Sequence, residues 1–210
     1  MNKENSNHCN TFLANDCNHI SKSISDTKSA IELYEVFRGE TDLSLKFKIL
    51  LDERGLSLYD RTIKDHFTGS VLVVNNVTKK TLLTLHPRSG RWQQLGGHGE
   101  GENNPLTVSA REAVEESGIH DLSIFECPIL IAPHEATGGC RTVPGEACWH
   151  YDICYLATTD SEQFETSDES LDLQWHTFDE VKNFVKEGSA DQRVVDMMEN
   201  AVKVLEECSR

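Results

Sequence analysis

The sequence predicts a single α/β domain built on a mixed β-sheet, with helices at both of its ends. Three observations carry that expectation. The 210 residues suffice for one sizeable core and are short for two. Short β-rich runs fill the middle of the chain, and apolar residues at helical spacing lie before and after them.

In chain order, residues 1–27 are polar, aperiodic and rich in Asn and Ser, and are expected to be disordered. His8-Cys9 and Cys17-Asn18-His19 offer zinc-ligating atoms there, but their spacing matches no standard finger, and a mobile tail is the simpler reading. The domain is expected to occupy residues 28–210. SAIELYEVF and LSLKFKILLDE read as two short entry helices, with Leu43, Phe47, Leu50 and Leu51 on one face of the second. GSVLVVNN and KKTLLTLHP read as a hairpin turning at Asn75-Asn76-Val77-Thr78. A glycine-rich loop follows, then a helix over Pro105 to Ser117. Asn104 supplies a capping oxygen, proline suits the first turn, and Gly118 supplies the stop. LSIFECPILIAPHE and CWHYDICYLATT read as strands joined by the turn-rich ATGGCRTVPGE. LDLQWHTF is a further strand, and FDEVKNFV opens a helix after Thr177. In DQRVVDMMENAVKVLEE, Val194, Met198, Val202 and Leu205 form one stripe, a docking face.

The formal net charge is -15, from 20 Lys and Arg against 35 Asp and Glu. Such a surface repels phosphate backbones, so nucleic acid is excluded as a general partner. A small phosphorylated anion would be repelled too, unless bound cations reversed the local field. No apolar run approaches the ~18 residues of a membrane span, so no membrane partner is expected. Seven cysteines without a Cys-x-x-Cys pair or a leader peptide point to reduced thiols and a cytoplasmic setting.

The charge has a focus. At about 100° per residue, Glu112, Glu115 and Glu116 fall within an arc of roughly 100° on the helix after Asn104. Leu106, Ala110, Ala113 and Val114 lie nearly opposite, so one face packs and the other presents carboxylates. Like charges at these spacings repel by a few tenths of a kcal/mol per pair, which a solvated surface tolerates. The preceding loop adds a reason to see more than a solvated face. Gly96, Gly97, Gly99 and Gly101 let the backbone bend and bring a carbonyl near a ligand. Carboxylate and carbonyl oxygens together suit a hard cation such as Mg²⁺, which also bridges to phosphate.

These residues resemble the signature of the Nudix hydrolases: Gly, five free positions, Glu, seven free positions, then Arg-Glu-aliphatic-any-Glu-Glu-any-Gly-aliphatic. Gly97 opens it, and Arg111-Glu112-Ala113-Val114-Glu115-Glu116-Ser117-Gly118-Ile119 completes it. Asn103 stands where the signature has its loop glutamate, with Glu102 one residue early and Glu100 earlier still. In the family that glutamate mainly supports the loop and helix. TGSVLVVNN with GRWQQLGGHGEGENNPLTVSAREAVEESG is similar to a subgroup with a Gly-Gly-His loop and this shifted acid, and the likeness reaches from about residue 30 to 205.

The resemblance implies a Nudix-type α/β/α sandwich and a Mg²⁺- or Mn²⁺-dependent hydrolase that cleaves a pyrophosphate linked to another group. Carried over by position, Glu112, Glu115, Glu116 and the Gly96 carbonyl would bind metal, and Arg111 would orient the glutamates. The base for the attacking water would be Glu115 or Glu169; a solvated loop residue is the plain alternative for Glu169. His98 offers a phosphate or water contact or a turn brace. Trp92 offers base stacking or core packing, and Arg88 a phosphate contact. His134, His150 and Tyr151 could line the pocket, though structural roles are commoner for such positions. The partner implied is a small nucleotide, either an ADP-ribose-like or dinucleotide substrate or a damaged nucleoside triphosphate. A nucleotide sensor that binds without cleaving is the competing class, and an acidic scaffold protein a third. The entry helices or the final helix could pair two copies into a homodimer, or cover the protein's own sheet.

Overall fold

A computed structural model describes residues 11–13, 27–136, 146–166 and 170–208. The chain opens with a strand β1 (Thr11–Leu13), then helices α1 (Thr27–Arg38) and α2 (Asp42–Arg54) and a 3-10 turn over Gly55–Tyr59. Strands β2 (His66–Asn75), β3 (Thr81–His86), β4 (Arg91–Gln93) and β5 (Leu95–His98) precede helix α3 (Pro105–Ser117). β6 (Ser123–Phe125), β7 (Leu130–Glu135), β8 (Trp149–Thr159) and β9 (Asp172–His176) follow, and α4 (Phe178–Glu187) and α5 (Gln192–Cys208) close the chain.

The strands form one mixed sheet with a main path β1-β6-β8-β2-β3-β4, while β5 pairs β2, β7 pairs β8 and β9 pairs β3. At its centre β2 and β8 run parallel, from His66 opposite His150 to Asn75 opposite Thr159. Both faces of β2 are buried, as expected for a strand flanked by helices on either side. The period of two sends Phe67, Val71 and Val73 into one core with Phe47, Leu106 and Ala113. Leu72 and Val74 enter the other, with Val194, Met197 and Met198. The result is the α/β/α sandwich expected from the sequence. Phe47 of α2 packs on Phe67 and Tyr151, with ring centroids 5.8 and 5.3 Å away, so the entry helices seal one face. A reciprocal capping box between Thr41 and Ser44, both bonds 3.0 Å, sets the start of α2.

Several expectations are corrected. Thr11–Leu13 is a strand rather than part of a structureless tail; it pairs antiparallel with β6, from Thr11 opposite Phe125 to Leu13 opposite Ser123. A β-prone triplet there meets a sheet edge that would otherwise be open. The rest of the tail, with His8, Cys9, Cys17 and His19, lies outside the described residues, as does most of ATGGCRTVPGE. LSIFECPILIAPHE is two strands, not one. Pro128 lies in the break, where its missing N–H cannot serve a ladder. The glycine loop begins as strand: Gly96 and Gly97 belong to β5 and pair with Ser70 and Gly69. On α5, Val194 and Met198 are buried as expected, but Val202 is exposed, and Val195, Met197 and Ala201 complete the buried face. Cys127, Cys148 and Cys154 are free, whereas Cys208 is disulfide-bonded, a pairing that an odd cysteine count does not forbid. Among the described residues, no helix is long and apolar enough to cross a membrane.

Candidate active site

The ends of β2, β5 and β8 and the side of α3 surround a cleft of about 940 Å³. Local chemistry places the helix as the sequence indicates. The Asn104 side-chain oxygen accepts from the Leu106 and Thr107 N–H groups at 3.0 and 3.4 Å, and Gly118 ends α3 in the left-handed conformation with its N–H on the Val114 carbonyl.

Glu112 and Glu116 are 7% and 9% exposed and line the cleft. Gly96 N–H donates to Glu116 Oε2 at 2.9 Å, which ties the helix to β5. Arg111 staples the same junction. Its Nη2 donates to the His98 carbonyl at 2.6 Å and lies 2.9 Å from Glu112 Oε1, while Nη1 donates to Glu115 Oε2 at 2.8 Å. Burial works against the guanidinium charge, but Glu112, Glu115 and Glu100 outweigh it and raise its pKa. Arg111 thus touches Glu112, Glu115 and the β5 backbone at once. Glu115 differs from its two neighbours: its side chain is 57% exposed and does not line the cleft.

The shifted loop acid has a visible task. Glu102 Oε1 accepts from the Asn103 N–H at 2.7 Å and the Asn104 N–H at 2.8 Å, bracing the loop where it enters α3. A carboxylate one residue early therefore does the supporting work at this turn, and Asn103 need not.

Other groups in the cleft were not singled out from the sequence. Asp152 of β8 is buried and accepts from Thr68 Oγ1 at 2.8 Å and Ser70 Oγ at 2.6 Å. Burial pushes its carboxyl pKa up against the pull of those hydroxyls. A legible trace exists: polar Thr68, Ser70 and Asp152 interrupt otherwise apolar central strands. Arg193, at the start of α5, pairs with Asp191 at 3.0 Å, and its buried Nη1 has no hydrogen-bond partner among the described residues. With Arg88 and Arg91 it gives an acidic cleft a set of anion-seeking groups.

Of the remaining expected residues, Arg88, His98, His134 and His150 line the cleft. Trp92 does not. It packs against His176 with ring centroids 4.5 Å apart and stacks on Phe184 at 6.0 Å, so packing is its observed use and base stacking is not. Tyr151 belongs to the core beside Phe47 and Phe67. Glu169 lies outside the described residues.

Four histidines gather at one end of the cleft. Burial is the main reason that the pKa of His134 falls to about 3 and that of His150 to about 2; Arg193 adds to the first, and His134 and His66 to the second. A histidine whose folded pKa is depressed takes its proton first in the unfolded chain, so its stability contribution is present above pH ~6.5 and is lost as pH falls towards the folded value. In the metal-stripped protein, urea-unfolding free energy is expected to drop below pH ~6.5 by up to about 1.4 kcal/mol per pH unit for each such histidine. His150→Gln should show a shallower slope; an unchanged slope would contradict the assignment.

Comparison with known proteins agrees with this geometry. The NUDIX domain family matches residues 65–197, which holds the sheet centre, the glycine strand and α3. No curated protein shows a significant match to the chain. Among solved structures, the chain is similar to a Nudix-family hydrolase from Clostridium perfringens, with 26% identity and a TM-score of 0.52, over 68% of this chain and 99% of that one. A C. elegans Ap4A hydrolase shares the fold at 14% identity and a TM-score of 0.51, over 66% and 96% of the two chains. So does the E. coli dihydroneopterin triphosphate pyrophosphohydrolase, at 18% identity and a TM-score of 0.51, over 65% and 94%. With the signature helix in place beside the cleft and more than half of its length matched, this chain belongs to the Nudix hydrolase family.

Proposed function

We propose that the protein hydrolyses a pyrophosphate bond in a nucleoside diphosphate linked to another group, with Mg²⁺ or Mn²⁺ as its cation. The observation that carries this reading is the buried pair Glu112 and Glu116, held against Gly96 and Gly97 of β5 by a backbone N–H and by Arg111. The donor set fits a hard divalent ion: carboxylate oxygens beside a strand backbone, with one guanidinium against three glutamates. Glu112, Glu116 and the Gly96 carbonyl would hold the ion, and Glu115 would join from the rim. When bound, the cation supplies charge neutralisation of the diphosphate and a more acidic water.

The chain's own groups carry the rest. Arg193 and Arg88 offer guanidinium N–H donors to phosphate oxygens from the cleft wall. Arg111 keeps Glu112 turned towards the strand. Of the two carboxylates considered for the proton of the attacking water, Glu115 is engaged by Arg111 at 2.8 Å and stands outside the cleft, which favours Glu169. Glu102 braces the loop despite Asn103, which supports the hydrolase reading over a sensor without turnover.

A panel of nucleoside diphosphate derivatives and nucleoside triphosphates, assayed with Mg²⁺ omitted and then restored, tests the reading. Metal-dependent product from at least one member is expected. Retention of a nucleotide with no product across the panel would replace the hydrolase with a sensor.

A further inference from the structure

Apart from the carboxylates, the cleft holds a second set of ligand atoms. His66, His98 and His150 each present one ring nitrogen, and these nitrogens lie within 4.8 Å of one another. Three strands bring them together. His66 starts β2 and sits opposite His150 in the parallel ladder, while His98 ends β5 opposite Thr68. Ring centroids are separated by 4.8 Å for His66 and His150, 5.0 Å for His66 and His98, and 5.1 Å for His98 and His150.

His66 is oriented for ligation. Its Nδ1 faces the Ile63 carbonyl at 3.1 Å, which places the ring proton on that nitrogen and leaves a lone pair on Nε2. Nε2 is buried in a residue only 3% exposed and has no hydrogen-bond partner among the described residues. A backbone carbonyl that fixes the tautomer from behind is the usual support of a metal-bound imidazole. An unpaired buried acceptor destabilises the fold, and coordination would remove that cost. His134 lies 5.2 Å from His150, at the edge of the group.

We propose that His66, His98 and His150 bind a divalent transition-metal ion of the Zn²⁺ class, at a site separate from the Glu112 and Glu116 carboxylates. Imidazole donors suit Zn²⁺ and its neighbours, whereas carboxylate and carbonyl oxygens suit Mg²⁺ and Mn²⁺. One cleft thus sorts two kinds of cation by donor chemistry. Zn–N bonds of about 2.0–2.1 Å in a tetrahedron put nitrogens about 3.3 Å apart. Small rotations of the half-buried His98 and His150 rings towards the fixed His66 close that gap. Three protein ligands leave a coordination position on the cleft side, the arrangement of an ion that meets water or a ligand. The site does not depend on the hydrolase reading, since these nitrogens bind metal whether or not a phosphoanhydride is cleaved.

Metal-stripped full-length protein is titrated with Co²⁺ in equilibrium dialysis, with Mg²⁺ present to fill the carboxylates, and then with Zn²⁺. The wild type is expected to take up one equivalent of Co²⁺ with visible d–d bands and no sulfur-to-cobalt charge-transfer band, and Zn²⁺ should displace it. His66→Asn and His150→Gln should each weaken uptake by on the order of 100-fold, while Glu112→Gln with Glu116→Gln leaves it unchanged. Circular dichroism checks that the histidine variants fold; where one does not, X-ray absorption of the wild-type cobalt form reads the ligands directly, and a nitrogen and oxygen shell supports the site. Absence of saturable uptake, a thiolate band that places the ion on cysteine, or loss of uptake in the glutamate variant alone would each overturn the proposal.

Discussion

Glu116→Gln is expected to lower kcat by on the order of 10²–10³-fold while the protein stays folded. The substitution keeps shape and an acceptor oxygen, so the Gly96 N–H that now donates to Glu116 Oε2 at 2.9 Å retains a partner. The tie between β5 and α3 survives, and stability should change by no more than about 1 kcal/mol. What disappears is one negative charge from the buried carboxylate pair proposed to hold the cation, a loss of about 3–4 kcal/mol at the transition state. Glu115→Gln provides the internal comparison. That side chain is exposed and faces Arg111, so its loss should be nearer tenfold or less. Steady-state kcat across a Mg²⁺ titration, beside urea unfolding of each variant, separates the two. Equal losses at positions 115 and 116 would show that the inward and outward carboxylates do not differ in role.

That contrast marks where the sequence stops being informative. The bounds of α3 rest on local chemistry, a capping Asn104, Pro105 in the first turn and Gly118 as the stop, so they can be read from neighbouring residues. The arc holding three glutamates follows from the helical period in the same way. Which of the three turns inward does not, because that depends on how α3 seats against β2 and β5. The central parallel pair poses a larger problem. His66 meets His150, and Thr68 meets Asp152, through a register between strands far apart in the chain, and no local pattern encodes that alignment. Asp152 and the histidine group were therefore invisible as a set, although Asp152 interrupts an apolar run. Arg193 was hidden differently, inside a segment whose apolar period drew attention to the opposite side of the helix. Trp92 was open from the sequence between base stacking and core packing, and the choice rests on Phe184 of a distant helix and His176 of β9, which pack against it. At Asn103 the departure from the signature was plain, but its compensation needed the Glu102 side chain to fold back onto two backbone N–H groups.

Gly96→Ala and Gly97→Ala should fail in opposite ways, although the two residues are adjacent on β5. At Gly96 the backbone has φ +153°, and a Cβ would stand 2.5 Å from Ser70 Cβ, 2.7 Å from Ser70 Cα and 2.8 Å from the Gly69 carbonyl oxygen. Those atoms belong to the central strand, which is buried on both faces and cannot retreat. The expected cost is about 2–5 kcal/mol of unfolding free energy, from overpacking together with an unfavourable backbone conformation. At Gly97 the nearest atoms are those of the Glu112 carboxylate, with Oε1 nearest and Cδ 2.6 Å from the added Cβ. A flexible side-chain end can swing away, so stability should fall by only about 1 kcal/mol. Its displacement, however, removes Glu112 from the donor set and lengthens its 2.9 Å contact with Arg111, so kcat should drop by on the order of 10²-fold. Urea midpoints and kcat measured on both variants give the test. A Gly97→Ala protein that loses stability but keeps its turnover would mean that Glu112 is held by the strand for structural reasons and does not serve the reaction.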